Sequence, residues 1–242
     1  MTVLQNFVVF EGGDGSGTST QLEILKQRFN RNDLPDFPDS RRKVSPRPHS
    51  SRQHSPQQTL PRQTLPPLAA TFEPTDGPVG RLLREALRGN TPLNRETMAR
   101  LFSADRAEHL YGENGIVSLT RQEYLVVCDR YKLSSLVYQG IDCGGELPLN
   151  LNKDFPAPEL LLYFDLDPKI AFERLEKRSQ TDIYEHLDFQ IKVRGHYLSL
   201  LDSCRAEGSR VVVIDASAAI DDVARVVWQN VCMMPIIKKC MF

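Results

Sequence analysis

An α/β fold, with a parallel sheet covered by helices on both faces, is what the sequence predicts, and three observations carry that expectation. Residues 6–10, 125–128, 159–164 and 210–214 are short, continuous runs of apolar, mostly β-branched, leucine or aromatic side chains, as expected of strands buried on both faces. Longer amphipathic stretches, at 95–111, 168–178, 187–201 and 220–231, separate them. A glycine cluster, GGDGSGTS at 12–19, follows the first run directly and precedes a segment with Leu22, Leu25 and Phe29 at helical spacing. A further short helix is expected over 79–87, after the turn-rich TDGP at 75–78. In such sheets ligands bind beyond the carboxyl ends of the strands, where the motifs below fall.

Residues 35–67 break this pattern. They hold eight of the chain's 16 prolines, almost no aliphatic residues and no periodicity, so the segment is expected to be disordered: it has too little apolar area to offset its ordering entropy. The span 31–70 carries seven basic and three acidic residues, a net +4. Against a whole-chain charge of −1, the remainder carries −5. That balance, and the lack of interleaved aromatics for base stacking, speak against nucleic-acid binding through a basic arm. Five widely spaced cysteines without a CxxC pair argue against a disulfide framework or a zinc site and suit a reducing, cytoplasmic setting. No basic-plus-apolar leader and no long apolar run are present, so neither a signal peptide nor membrane association is expected. A hydrophobic share of 40% is ordinary for one sizeable core.

The glycine cluster matches the phosphate-binding pattern GxxxxGK[ST], except that Thr18 occupies the lysine position. Its glycines let backbone N–H groups converge on a phosphate, and the helix N-terminus adds partial positive charge. Ser19 is placed for a Mg²⁺ contact. The plainer alternative is a strand-to-helix turn without a ligand. The second motif is DRY at 129–131, at the end of a buried strand. There Asp129 can orient Mg²⁺ and Arg130 can clamp a phosphate, although a salt-bridged strand end is the ordinary reading of an isolated Asp-Arg pair.

Taken together, the motifs resemble the thymidylate kinase family. The resemblance rests on FEGGDGSG at 10–17, EPTDGPVGRLL at 73–83, LFSADR at 101–106, DRYKLSSLVYQG at 129–140 and IDAS at 214–217, in that order. It implies a three-layer P-loop NTPase fold, with a five-stranded parallel sheet, residues 68–72 as its second strand, and a lid at about 174–186. One domain would comprise 1–34 and 68–242, interrupted by the 35–67 insert. The implied reaction is ATP- and Mg²⁺-dependent phosphorylation of dTMP to dTDP by a homodimer.

Carried over residue by residue, the resemblance places the ATP phosphates on Gly12, Gly13, Asp14, Gly15, Ser16, Gly17, Thr18, Ser19 and Thr20, with Ser19 and Asp129 at the metal. Phe102 would stack on thymine and Arg106, one turn on, would bond its O4. Arg130 would hold the monophosphate, Ser135 and Tyr138 would line the nucleoside pocket, and Gln139 would add a contact there. Asp14 would face the acceptor nucleotide. Members with glycine inside the loop tend to carry a catalytic arginine in the lid; Gly15 fits that type, so Arg178 or Arg174 is the candidate. The alternative for these two is a solvated helix face paired with Glu173 and Glu176.

Three departures stand out: Thr18 for lysine, Phe72 where arginine usually precedes Glu-Pro, and Ile183 where a lid arginine is common. They keep open a catalytically weak nucleotide-binding relative, beside a kinase for another nucleotide.

Overall fold

The computed structural model describes residues 2–33, 64–175 and 186–240. Five strands form one parallel sheet: β1 (Val3–Gly12), β2 (Leu68–Phe72), β3 (Leu125–Asp129), β4 (Ala157–Asp165) and β5 (Arg210–Asp215), in the order β2-β3-β1-β4-β5. The register aligns the carboxyl ends. Phe72 and Phe10 both pair with Asp129, Gly12 with Phe164, and Asp165 with Asp215. The chain runs outward from β1 on one side and then crosses to the other. The end of β1 is therefore a topological switch point, where a crevice opens.

Alternation along β1 builds the two faces. Val8 and Phe10 point into a core with Leu22 and Leu25 of α1 (Thr18–Arg31) and Val227, Trp228 and Val231 of α9 (Ile220–Cys232). Phe7 and Val9 point the opposite way, against Leu110 of α3 (Arg95–Tyr111) and Ile116 of α4 (Ile116–Arg121). On that second face Leu161 and Tyr163 of β4 pack on Val137 of α5 (Lys132–Cys143) and Val193 and Tyr197 of α8 (Leu187–Ala206). Phe7, Val8, Val9 and Phe10 are all fully buried, and at roughly 1.5–3 kcal/mol per large apolar side chain this central strand anchors the fold.

All five expected strands are present. The expected helices appear as α1, α2 (Pro78–Leu87), α3, α7 (Pro168–Leu175), α8 and α9. Four more emerge: α4, α5, α6 (Glu146–Asn152) and α10 (Pro235–Lys239). Three of these have seven residues or fewer, too short for a helical period to show. The insert boundary is corrected. Residues 64–67 belong to the fold, with Pro66 buried, Leu65 N–H donating to Asn32 Oδ1 (2.8 Å) and Leu125 N–H donating to Pro67 O (2.9 Å). The expected disorder over the rest of the insert, and the lid over 176–185, lie outside the described residues.

Candidate active site

The turn from β1 into α1 is built on two glycines. Gly15 and Gly17 have φ of 81° and 90°, the left-handed region that other residues enter only under strain. No side chain caps α1, so its first-turn N–H groups, the donors a phosphate would take, have no side-chain acceptor. Thr18 is buried at the loop base, whereas Ser19 and Thr20 are exposed at the helix start.

Asp129 closes β3 beside this loop. Its Oδ2 accepts a 2.5 Å hydrogen bond from Ser19 Oγ, while its buried Oδ1 has no hydrogen-bond partner among the described residues. An exposed hydroxyl oxygen next to a carboxylate with a spare oxygen is a donor set of the kind Mg²⁺ takes, so the residues present fit that ion.

Arg130 follows with φ of 70°, a left-handed conformation unusual outside glycine, held by its N–H donating to Phe10 O at 2.8 Å. The twist turns the guanidinium back over the loop, where it donates to Gly12 O (3.1 Å) and to Asp14 Oδ1 (2.6 Å) and lies 5.3 Å from the Tyr138 ring centre. Asp14 Oδ2 also accepts from Tyr138 OH (3.1 Å) and Gln190 Nε2 (2.7 Å). Burial, with Asp14 close by, pushes the Tyr138 phenol well above its usual range and keeps it a donor.

Behind Arg130, Glu11 is fully buried. Its carboxylate accepts from Ser134 Oγ (2.6 Å), Tyr197 OH (3.0 Å) and the N–H groups of Tyr131 (2.9 Å) and Ser134 (3.3 Å). No side chain at the N-cap position caps α5; Glu11, 120 residues earlier in the chain, takes those N–H groups instead. Burial pushes Glu11 up to about 7, against the hydrogen bonds from Ser134 and Tyr197 and the charge of Arg130.

A cavity of about 490 Å³ opens between α2, α3 and α5, next to the loop. Phe102, Arg106, Ser135, Tyr138 and Gln139 line it, together with Asp14, Ser19 and Arg130. Arg106 is 1% exposed and its guanidinium is locked in place. It donates to Glu73 Oε2 (2.7 Å), to Ser135 Oγ (3.1 Å) and to Asn152 Oδ1, and it lies over the Tyr131 ring. Its buried Nε has no partner among the described residues, a donor left for a ligand.

Of the sequence-predicted residues, Asp14, Ser19, Phe102, Arg106, Arg130, Ser135, Tyr138 and Gln139 line this cavity, and the remaining loop residues and Asp129 adjoin Ser19 and Asp14. Arg174 donates to Gly15 O (3.4 Å) and Ala216 O (3.2 Å), which ties the loop to the segment after β5; Arg178 lies outside the described residues. Sequence reasoning missed Gln190, Arg84, Asn152 and Glu11. Only Glu11, a charged residue ending a buried apolar run, carried a readable signal. Arg84, which also lines the cavity, donates to Pro74 O (2.5 Å) and Asp76 Oδ1 (2.7 Å).

A glycine loop at the switch point of a parallel sheet, a serine–aspartate pair and an arginine-lined cavity define a phosphate-loop nucleotide kinase. The comparisons with known proteins narrow this further. Residues 56–227 match the family model described as thymidylate kinase. A Treponema pallidum protein is 37% identical over 225 residues, covering 91% of this chain and 92% of its own. A Pyrobaculum aerophilum protein is 34% identical over 220 residues, covering 90% and 92%. Both bear the thymidylate kinase name provisionally. A Leptospira interrogans protein named thymidylate kinase is 33% identical over 210 residues, covering 84% and 86%. The chain belongs to the thymidylate kinase family and is a nucleoside monophosphate kinase of that family. No helix among the described residues is long and apolar enough to cross a membrane.

Proposed function

We propose that this chain transfers the γ-phosphoryl group of ATP to dTMP, giving ADP and dTDP, with Mg²⁺ as its metal ion and as a cytoplasmic homodimer. The observation that carries the proposal is the cavity joining Phe102, Arg106, Ser135, Tyr138 and Gln139 to Asp14, Arg130 and Ser19. At about 490 Å³ it lies within the range of small-molecule sites, and its lining combines aromatic, amide and cationic side chains. Thymine stacks on Phe102, and Arg106 offers donors to its O4.

Arg130 then holds the 5′-phosphate. A phosphate oxygen of dTMP attacks the γ-phosphorus, the bond to the β-bridging oxygen breaks, and ADP leaves with that electron pair. The acceptor is already an oxyanion, so the protein's part is positioning and charge neutralisation rather than proton abstraction. Residues 12–20 cradle the ATP phosphates, and Asp14, fixed by Arg130, Tyr138 and Gln190, orients the acceptor. Ser19 and Asp129 would hold Mg²⁺, which would supply charge neutralisation for the ATP phosphates. Five free cysteines, three of them buried, suit a reducing compartment.

The test is ADP release from ATP across a panel of deoxynucleoside monophosphates. Turnover selective for dTMP is expected. Binding without turnover would instead identify a catalytically weak relative.

A further inference from the structure

Among the described residues, Glu73, His109 and Cys128 form a cluster whose ligating atoms all lie within 4.8 Å of one another. Such a cluster can hold a metal, but the donors here are already spent. His109 Nε2 lies 2.7 Å from Thr71 Oγ1 and its Nδ1 lies 3.1 Å from Glu73 Oε1. Glu73 Oε2 holds Arg106, and Cys128 Sγ donates to Arg130 O at 2.9 Å. A guanidinium bonded to the same carboxylate also repels a cation.

The directions of these hydrogen bonds point elsewhere. Glu73, ion-paired with buried Arg106, is a carboxylate and only accepts. Nδ1 of His109 therefore donates to Glu73. In the neutral ring Nε2 then accepts, so the Thr71 hydroxyl donates to it. The result is a one-way relay from β2 into the cavity wall: Thr71 to His109 to Glu73, with Arg106 donating into the far oxygen of Glu73. Phe102, Arg106 and His109 stand at i, i+4 and i+7 on α3, one stripe of that helix. Glu73 and His109 are 3% and 11% exposed, so water does not readily replace a lost partner.

We propose that His109 is a positioning residue for base recognition: it fixes the Glu73 carboxylate, which sets the guanidinium of Arg106 at the height of the thymine ring. Thr71 acts one step further back by fixing the tautomer of His109. This rests on the assignment of Arg106 to the base in the proposed reaction. A merely structural His109 would join β2 to α3 and favour neither nucleotide.

The experiment compares His109→Ala, His109→Asn, Thr71→Val and Arg106→Ala by steady-state kinetics with dTMP, dCMP and ATP, and by calorimetric titration of dTMP. Asparagine places its amide N–H where Nδ1 lies, so it keeps the donor to Glu73. His109→Ala is expected to raise the KM and Kd for dTMP ~10-fold, the effect of losing one buried charge-assisted contact, and to erode the preference for dTMP over dCMP. The KM for ATP should stay within about twofold. His109→Asn should restore most of the loss, and Thr71→Val should shift the same parameters by less. Equal weakening toward dTMP and ATP, or an asparagine variant no better than alanine, would overturn the relay. If His109→Ala does not fold, Thr71→Val and His109→Asn decide: unchanged dTMP affinity and selectivity in Thr71→Val with a defective His109→Asn would also overturn it. Arg106→Ala separates the two readings. No effect on dTMP there removes the base-reading assignment and the relay with it; a strong effect there with none in the His109 variants removes the relay alone.

Discussion

At Thr18 the chain lacks the ammonium group that a phosphate loop ordinarily supplies, and Arg174 of α7, one of the two candidates for a compensating charge, is occupied with backbone carbonyls. Its two bonds, to Gly15 O and Ala216 O, tie the loop to the segment after β5. A cation bonded to Gly15 O can brace the loop and add positive potential beside it. Arg174→Ala is therefore expected to lower kcat/KM for ATP about 10- to 100-fold, with dTMP affinity within twofold. Arg174→Lys should not rescue, because one compact ammonium cannot serve two carbonyls in the planar fork geometry of a guanidinium. Steady-state kinetics with each substrate varied in turn checks both, and a fall in dTMP affinity of similar size would place Arg174 at the acceptor instead. Phe102, Arg106, Arg130, Ser135 and Tyr138 could be singled out in the sequence because they sit in the contiguous motifs that carry the family resemblance. Gln190 could not: it reaches Asp14 across 176 positions, and nothing in the apolar spacing of α8 marks it. Asn152, which meets Arg106 across 46 positions, was hidden for the same reason.

Among the elements, α5 shows most clearly how a long-range contact replaces a local signal. Its N-terminus has no side-chain cap in sequence, and Glu11 of β1 supplies the acceptor instead. The helix escaped sequence reading partly for that reason, whereas the strands were legible because a doubly covered parallel sheet leaves continuous apolar runs. Using a buried carboxylate as a cap has a pH signature. The ordinary carboxylate value is 4.5 and the folded value is about 7. Between these values the folded chain binds the proton more tightly than the unfolded chain does, so stability falls as pH rises through that window and levels off above it. The shift corresponds to about 3 kcal/mol at most. Glu11→Gln removes the titration and should flatten this part of the profile. Urea unfolding midpoints at pH 5 and pH 7.5 should differ less in the variant than in the parent. Activity should fall in Glu11→Gln as well, since an amide cannot accept from Ser134, Tyr197 and two backbone N–H groups at once, and Arg130 rests on that turn. An unchanged pH difference in stability would mean that Glu11 titrates at an ordinary value.

On the scale of the whole molecule, the five strands and their helices form one sheet-centred unit among the described residues. The carboxyl ends of β2, β3, β1 and β4 meet in one row, with the glycine loop following β1 and Arg130 following β3. The described residues stop at 33, just after α1, and resume at 64, beside the end of α1. Asn32, the left-handed C-cap of α1, accepts through Oδ1 from Leu65 N–H at 2.8 Å, and Leu65 packs against the core beside Phe29 and Leu68. Two ends already joined by a hydrogen bond can be linked by a turn of a few residues, with no change to β2 or to Glu73 and Thr75 beyond it. A shorter connection also loses less chain entropy on closure, by roughly 0.6 kcal/mol per halving of its length. Replacing residues 36–62 by a short Gly/Ser/Asn turn, while keeping 64–67, should therefore leave the melting temperature no lower and the dTMP affinity within about twofold. Extending the deletion through residue 67 should be markedly destabilising, because it removes buried Pro66, the Asn32 partner and the carbonyl that receives Leu125 N–H. Thermal melts and dTMP titrations on the two deletions check this. A shorter deletion that unfolds, or a longer one as stable as the parent, would put the boundary of the fold somewhere other than residue 64.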